Sequence, residues 1–117
     1  MPLPFLLAAA AATSCLGLSV HDGDTIRCGR ERVRISDIDA PELPDSPKCE
    51  GYRSRYAWCD YQAGYAARDA LRGFLISGQV TVIRQGQDKY GRTLALVKVN
   101  GRDAGDFLIA RGLARRW

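Results

Sequence analysis

One run of helical periodicity, residues 62–76, sits between two groups of strand-like segments, and this limits the folds open to the chain more than any other feature. Ala63, Ala66, Ala67, Ala70, Leu71, Phe74 and Leu75 recur at the spacing of one helix face, with Arg68, Asp69 and Arg72 opposite. Gly78 follows as a stop signal. Before the helix, residues 14–20, 25–28 and 32–38 read as three strands separated by turn residues, after which Pro41, Pro44 and Pro47 keep the chain irregular. After it, residues 80–84 and 94–99 read as β-branched-rich strands joined by a polar link with two glycines. Asp103 is placed to cap a second helix through Ala110, which Gly112 stops. This order predicts a mainly β protein with two helices, a five-stranded OB-fold Greek-key barrel with a helix between strands 3 and 4 and a short C-terminal helix. An SH3-like barrel does not hold a helix of about four turns at that point. With 117 residues there is enough chain for one core and one domain.

The chemistry concentrates between Val20 and Glu42. Six of the chain's 13 carboxylates (Asp22, Asp24, Glu31, Asp37, Asp39 and Glu42) fall in that stretch, although the net charge is +4. Carboxylates at two bends flanking one hairpin repel one another unless a cation sits between them, and hard oxygen donors suit calcium or magnesium. Asp22-Gly23 alone is an ordinary hairpin signal. Its combination with Asp24-Thr25, and then with Arg34 and Asp39-Ala40-Pro41-Glu42, is much rarer. A third element, Asp88-Lys89-Tyr90-Gly91-Arg92, puts a second arginine at a strand end beside a glycine turn. The basic excess permits a polyanionic partner without requiring one.

The first 12 residues carry an apolar run ending in an Ala-x-Ala pattern and are expected to be a signal peptide, leaving residues 13–117 as the domain. The run is too short to span a bilayer and has no Lys or Arg ahead of it. A lipoprotein signal ending at Cys15 and a misassigned start are the alternatives. Export, to the periplasm or the medium, agrees with four cysteines, none in a Cys-x-x-Cys pair. With His21 the only histidine, a structural zinc site is disfavoured. Three disulfide pairings are possible, and four reduced thiols are a further alternative. Cys15 and Cys28 flank the Asp22-Gly23 turn, and Cys49 and Cys59 bracket a Tyr-, Arg- and Ser-rich loop, which favours 15 with 28 and 49 with 59.

Asp22-Gly23-Asp24-Thr25, the stretch from Arg34 to Glu42, Asp88 to Arg92 and Gly112-Leu113-Ala114, in this order around a central helix, resemble the staphylococcal nuclease-like (thermonuclease) family. The resemblance runs from about Val20 to Ala114. It implies a calcium-dependent nuclease that hydrolyses phosphodiester bonds of DNA or RNA, leaving 3′-phosphate and 5′-hydroxyl ends. By position, Asp24, Asp39 and the main-chain carbonyl of Ala40 would bind Ca²⁺. Glu42 would be the general base, Arg34 and Arg92 the phosphate-binding arginines, and Lys89 and Tyr90 substrate contacts. Asp22 would orient ligands or bound water. The sequence departs from the pattern at Ala40, where threonine is common, and in an insert over residues 43–61. Arg53, Arg55, Tyr56 and Trp58 of that insert are placed to touch nucleic acid. Longer members continue beyond the position of Trp117 with a strand extension and a helix, and disulfides are expected to compensate in stability.

These roles make physical sense independently. A phosphodiester gains negative charge as it becomes five-coordinate, so catalysis needs fixed positive charge around its oxygens. Guanidinium forks supply paired donors. A carboxylate is needed to take the proton from the attacking water. Two other readings stand beside the nuclease: a catalytically inactive nucleic-acid-binding OB module, and an exported domain that binds calcium for structure or contacts another protein. The expected partner is DNA or RNA, with no membrane insertion and a monomeric chain. His21 is read as a strand-end residue without a catalytic task.

Overall fold

The computed structural model describes residues 12–117, so the signal peptide expected over residues 1–12 lies, Ala12 apart, outside the described residues. Five of the six strands of the main sheet are longer than two residues: β1 (Leu18–Asp22), β2 (Thr25–Cys28), β3 (Glu31–Ile35), β5 (Val80–Gln87) and β6 (Thr93–Val99). Three two-residue strands, β4 (Ile38–Asp39), β7 (Arg102–Asp103) and β8 (Arg115–Arg116), complete the β structure. Helix α1 (Tyr61–Leu75) precedes β5, and α2 (Ala104–Ala110) lies between β7 and β8. The sheet order is β1-β2-β3-β6-β5, with β7 on β6 and a separate β4–β8 pair. All pairs are antiparallel except β3 with β6. The result is a curled half-barrel of the OB type, mainly β with two helices.

Alternation drives the long strands. On β6, Thr93, Ala95, Val97 and Val99 are buried while the residues between them are half-buried, the period of a strand with one face on the core. α1 starts at Asp60, whose carboxylate accepts from Ala63 N–H at 3.1 Å. It buries Gly64, Ala67, Leu71, Phe74 and Leu75. Phe74 stacks on Phe107 of α2 with ring centroids 4.2 Å apart. Ile26, Val33, Ile35, Ile38, Leu71, Leu75, Val82, Val97 and Leu108 form the centre of a single core.

The expected first and third strands are shorter in the structure, and β5 runs past residue 84 to Gln87. The first strand begins at Leu18 rather than residue 14, because Gly17 turns the chain in the left-handed region at φ +68°. The third ends at Ile35, since Asp37 adopts φ +67° and the chain resumes as β4 against β8. Aspartate tolerates that conformation better than most residues.

Across the sheet, Glu31 ties three strands. Arg84 of β5 donates to it from Nε at 2.8 Å and Nη2 at 2.7 Å, and Thr93 Oγ of β6 donates at 2.8 Å. Arg84 also donates to the carbonyls of Ala12 and Ser14, anchoring the segment ahead of β1. Disulfides join Cys15 to Cys28 and Cys49 to Cys59, the pairing favoured by sequence position. Among the described residues no helix is long and apolar enough to cross a membrane.

Candidate active site

The site is built where the β1–β2 turn, the β3–β4 bend and the segment after β4 meet under α1. In the β1–β2 turn, Asp22 Oδ1 accepts from Asp24 N–H at 3.1 Å. Gly23 has no room for a side chain, because a Cβ there would lie 2.7 Å from Ala40 Cβ and 2.8 Å from Ala67 Cβ. The turn is thus pressed against both α1 and the chain after β4, and Asp24 is delivered into the interior. Its Oδ1 accepts from Thr25 Oγ at 3.0 Å and its Oδ2 from Ala40 N–H at 3.0 Å. Arg34, opposite Thr25 in the β2–β3 register, brings Nη2 to 3.6 Å from Asp24 Oδ2 and donates from Nη1 to Ile35 O at 2.7 Å.

Asp39 enters from β4, opposite Arg115 of β8. Arg115 donates to Asp39 Oδ2 from Nε at 2.9 Å, with Nη2 2.8 Å from the same oxygen in an ion pair, and its guanidinium lies 5.2 Å from the centre of the Trp58 ring. Glu42 is held by the insert on two sides. Its N–H donates to Trp58 O at 2.7 Å, and its Oε1 accepts from Ser46 Oγ at 2.7 Å. Ser46 caps the 3₁₀ turn Pro47–Cys49, accepting from Lys48 N–H at 3.2 Å. From below, Gly64 of α1 lies so close to the Glu42 carbonyl that a Cβ would collide with it.

These supports bring oxygens of Asp24, Asp39 and Glu42 within 4.8 Å of one another, all three buried. An all-oxygen donor set of this compactness, with each residue at most 6% exposed, fits a hard divalent cation. Asp22 stands at the edge of the cluster. Its burial first, and the negative charge of Asp24 and then Glu42 second, push its carboxyl up to about 7.

The β5–β6 turn is organised by Asp88. It accepts from the N–H groups of Tyr90 and Arg92, both at 2.9 Å, and from Arg92 Nε at 2.7 Å. Burial works upward on this carboxyl, but the hydrogen bonds from Arg92 and Tyr90 outweigh it and hold it below the usual range. Arg32 fastens the turn by donating to Tyr90 O. Arg92 lines a cleft of about 430 Å³ with Asp24, Glu42, Asp22 and His21. It also lines a neighbouring cleft of about 470 Å³ with Arg34, Lys89 and Tyr90. Of the residues expected to act as ligand, base, phosphate or substrate contact, Asp24, Glu42 and Arg92 thus line the first cleft and Arg34, Lys89, Tyr90 and Arg92 the second, while Asp39 meets Asp24 and Glu42 in the carboxylate cluster and Ala40 lines neither cleft.

Sequence reading missed three contributors. Ser46 carries a signal of its own, standing before proline and four residues after Glu42, as an N-cap would. Lys48 lines both of these clefts and a third, of about 230 Å³, but in sequence it is one loop lysine among polar neighbours. Arg115 is 76 residues from its partner Asp39, and nothing local marks it. In the insert, Arg53 and Tyr56 reach the third cleft, whereas Trp58 serves Glu42 and Arg115.

Residues 32–117 match the family model described as staphylococcal nuclease homologue. The chain is 36% identical over 109 residues to the succinoglycan biosynthesis protein ExoI of Rhizobium meliloti (strain 1021), covering 91% of this chain and 54% of that protein. It is 27% identical over 106 residues to an uncharacterized endonuclease of Haemophilus influenzae, covering 86% and 51%. It is 40% identical over 85 residues to Protein ParB of Escherichia coli, covering 69% and 39%. The chain thus spans about half, or less, of the length of these relatives. It belongs to the staphylococcal nuclease homologue family.

Proposed function

We propose that this chain is a calcium-dependent nuclease that hydrolyses phosphodiester bonds of DNA or RNA to 3′-phosphate and 5′-hydroxyl ends. The observation that carries the reading is the convergence of three buried carboxylates within 4.8 Å, with Arg34 3.6 Å from one of them and Arg92 in the adjoining wall. Asp24 and Asp39, with the Ala40 carbonyl beside them, are the residues that would hold Ca²⁺. Once bound, the ion supplies positive charge to the phosphate oxygens and the attacking water.

The chain's own residues then divide the work. Arg34 and Arg92 hold the non-bridging oxygens from two sides and meet the charge that develops as phosphorus becomes five-coordinate. Glu42 takes the proton of the attacking water, its carboxylate aimed by Ser46 and its backbone by Trp58. The bond from phosphorus to the 5′-oxygen breaks, the phosphate stays on the 3′ side, and the leaving oxygen is protonated from solvent. Asp22 orients the Asp24 backbone, and Lys89 and Tyr90 contact the substrate. Two disulfides support an oxidising compartment, and with it export of a domain over residues 13–117 acting as a monomer.

The test is plasmid DNA and a mixed-sequence RNA incubated with the purified protein in Ca²⁺ and again with chelator, with end-group analysis of the products. Ca²⁺-dependent cutting to 3′-phosphates is expected. A gel shift without cutting would instead select a binding module.

A further inference from the structure

Of the insert's cations and exposed rings that the fold itself does not use, Lys48, Arg53 and Tyr56 come together at one slot. Among the described residues the side chains of Lys48 and Arg53 make no ion pair, and the two carboxylates that line the slot with them are engaged elsewhere, Asp39 by Arg115 and Glu42 by Ser46. Tyr56 is 78% exposed and, among the described residues, packs against no other ring or cation. These three side chains, with Asp39, Glu42 and Trp117, line the slot of about 230 Å³. The slot shares no residue with the Asp88 to Arg92 turn, which builds the cleft containing Tyr90. Lys48 is common to both, and so stands where the two meet beside Glu42. The Cys49–Cys59 disulfide fixes the segment, and Ser46 ahead of the loop and Trp58 within it fasten it to Glu42.

Cations without a protein partner call for an anion, and an exposed ring beside them offers a face on which a base can stack. We propose that this slot is a second nucleotide subsite. In it Tyr56 stacks the base and Lys48 and Arg53 hold the backbone phosphate of the nucleotide on the far side of the scissile phosphodiester from Tyr90. The proposal rests on the nuclease reading above for the position of the scissile phosphate. It assigns the insert to substrate binding on one flank, and the Asp88 to Arg92 turn to the other.

The probe is a fluorescent single-stranded oligodeoxynucleotide with one cleavable phosphodiester, the remaining links being methylphosphonates, made also with an abasic site on either side of the cleavable link. Binding is read by anisotropy in Ca²⁺ with the Glu42→Gln protein, and KM and kcat with the active one. Tyr56→Ala is expected to weaken binding and raise KM about tenfold with kcat little changed. An abasic site on one flank should cancel that loss, while one on the opposite flank cancels the loss from Tyr90→Ala. For phosphate contacts, fully anionic single-stranded DNA is the probe, and Lys48→Ala and Arg53→Ala should each lower the salt slope of binding by about one. Tyr56 is exposed, so its replacement should leave the melting temperature unchanged, separating binding from folding. Cleavage by the wild type with Kd and KM unmoved in all three variants would overturn the subsite alone. A Tyr56→Ala loss indifferent to both abasic sites would overturn it as well. Binding that is lost in the variants while no substrate is ever cut would uphold the subsite and sink the nuclease reading.

Discussion

Arg34 and Arg92 reach the same depression by different means, and the difference bears on what each replacement does. Arg34 is 9% exposed and lies beside Asp24, whereas Arg92 is tethered through Nε to Asp88 at a turn. On the proposed mechanism, Arg34→Ala and Arg92→Ala each lower kcat by about 10² to 10³, as for loss of one transition-state donor. Arg34→Ala should also cost stability, because a buried carboxylate loses its countercharge, while Arg92→Ala should leave the melting temperature close to wild type. Steady-state kinetics beside thermal melts check both. Arg115 is a different case. It is half exposed and both hydrogen-bonds and ion-pairs one oxygen of Asp39, so it competes with any cation for that carboxylate. With the arginine half in solvent, such a pair contributes about 0.2 to 1 kcal/mol. Arg115→Gln should accordingly tighten Ca²⁺ binding by about two- to fivefold in calorimetric titration. Weaker binding in that variant would mean that the arginine orients the ligand instead.

At the scale of elements, α1 contributes to the site through what it lacks. Gly64 lets the helix approach until its backbone meets the Glu42 carbonyl. Alanine is the better helix former by about 0.8 to 1 kcal/mol, so at an exposed helical site Gly→Ala would stabilise. Here the new Cβ has no room, and overpacking of this kind costs about 1 to 3 kcal/mol. Gly64→Ala is expected to shift the urea midpoint down and to lower kcat by displacing Glu42, although no functional group is changed. A helix face read by apolar periodicity passes over such a glycine, and the sequence reading placed exposed Ala66 on the inner face instead. The bend at Asp37 was equally silent. Its positive φ splits one predicted strand in two and sends Asp39 towards β8.

At the scale of the molecule, stability depends on links that close the curled sheet. The hydrogen bonds from Arg84 hold the Glu31 carboxyl below its ordinary value of 4.5, with burial opposing and Thr93 assisting. A carboxylate whose folded value is depressed contributes stability above its unfolded value and loses it as pH falls through the folded one. Glu31→Gln should therefore lower the melting temperature at neutral pH and flatten its dependence below about pH 4.5, which a pH series of melts would show. The Cys15–Cys28 bond clamps the approach to β1 onto the end of β2. Replacing both cysteines by serine should cost about 2 to 4 kcal/mol in urea unfolding, with the fold retained if the core alone suffices.

The chain by itself determined the order of the main elements, the cap at Asp103, the disulfide pairing favoured by position, and the carboxylates and the two motif arginines of the candidate site. Each of these is written locally, in periodicity, turn chemistry or motif spacing. Only the tertiary structure decided that Arg115 would sit on Asp39, that Gly64 would press on Glu42, and that Lys48 would stand where three clefts meet. Arg115 and Gly64 act across 76 and 22 residues of chain, and Lys48 takes its place from where the insert folds back. Such contacts come from how the sheet curls and how the helix seats against it, which no run of neighbouring residues encodes.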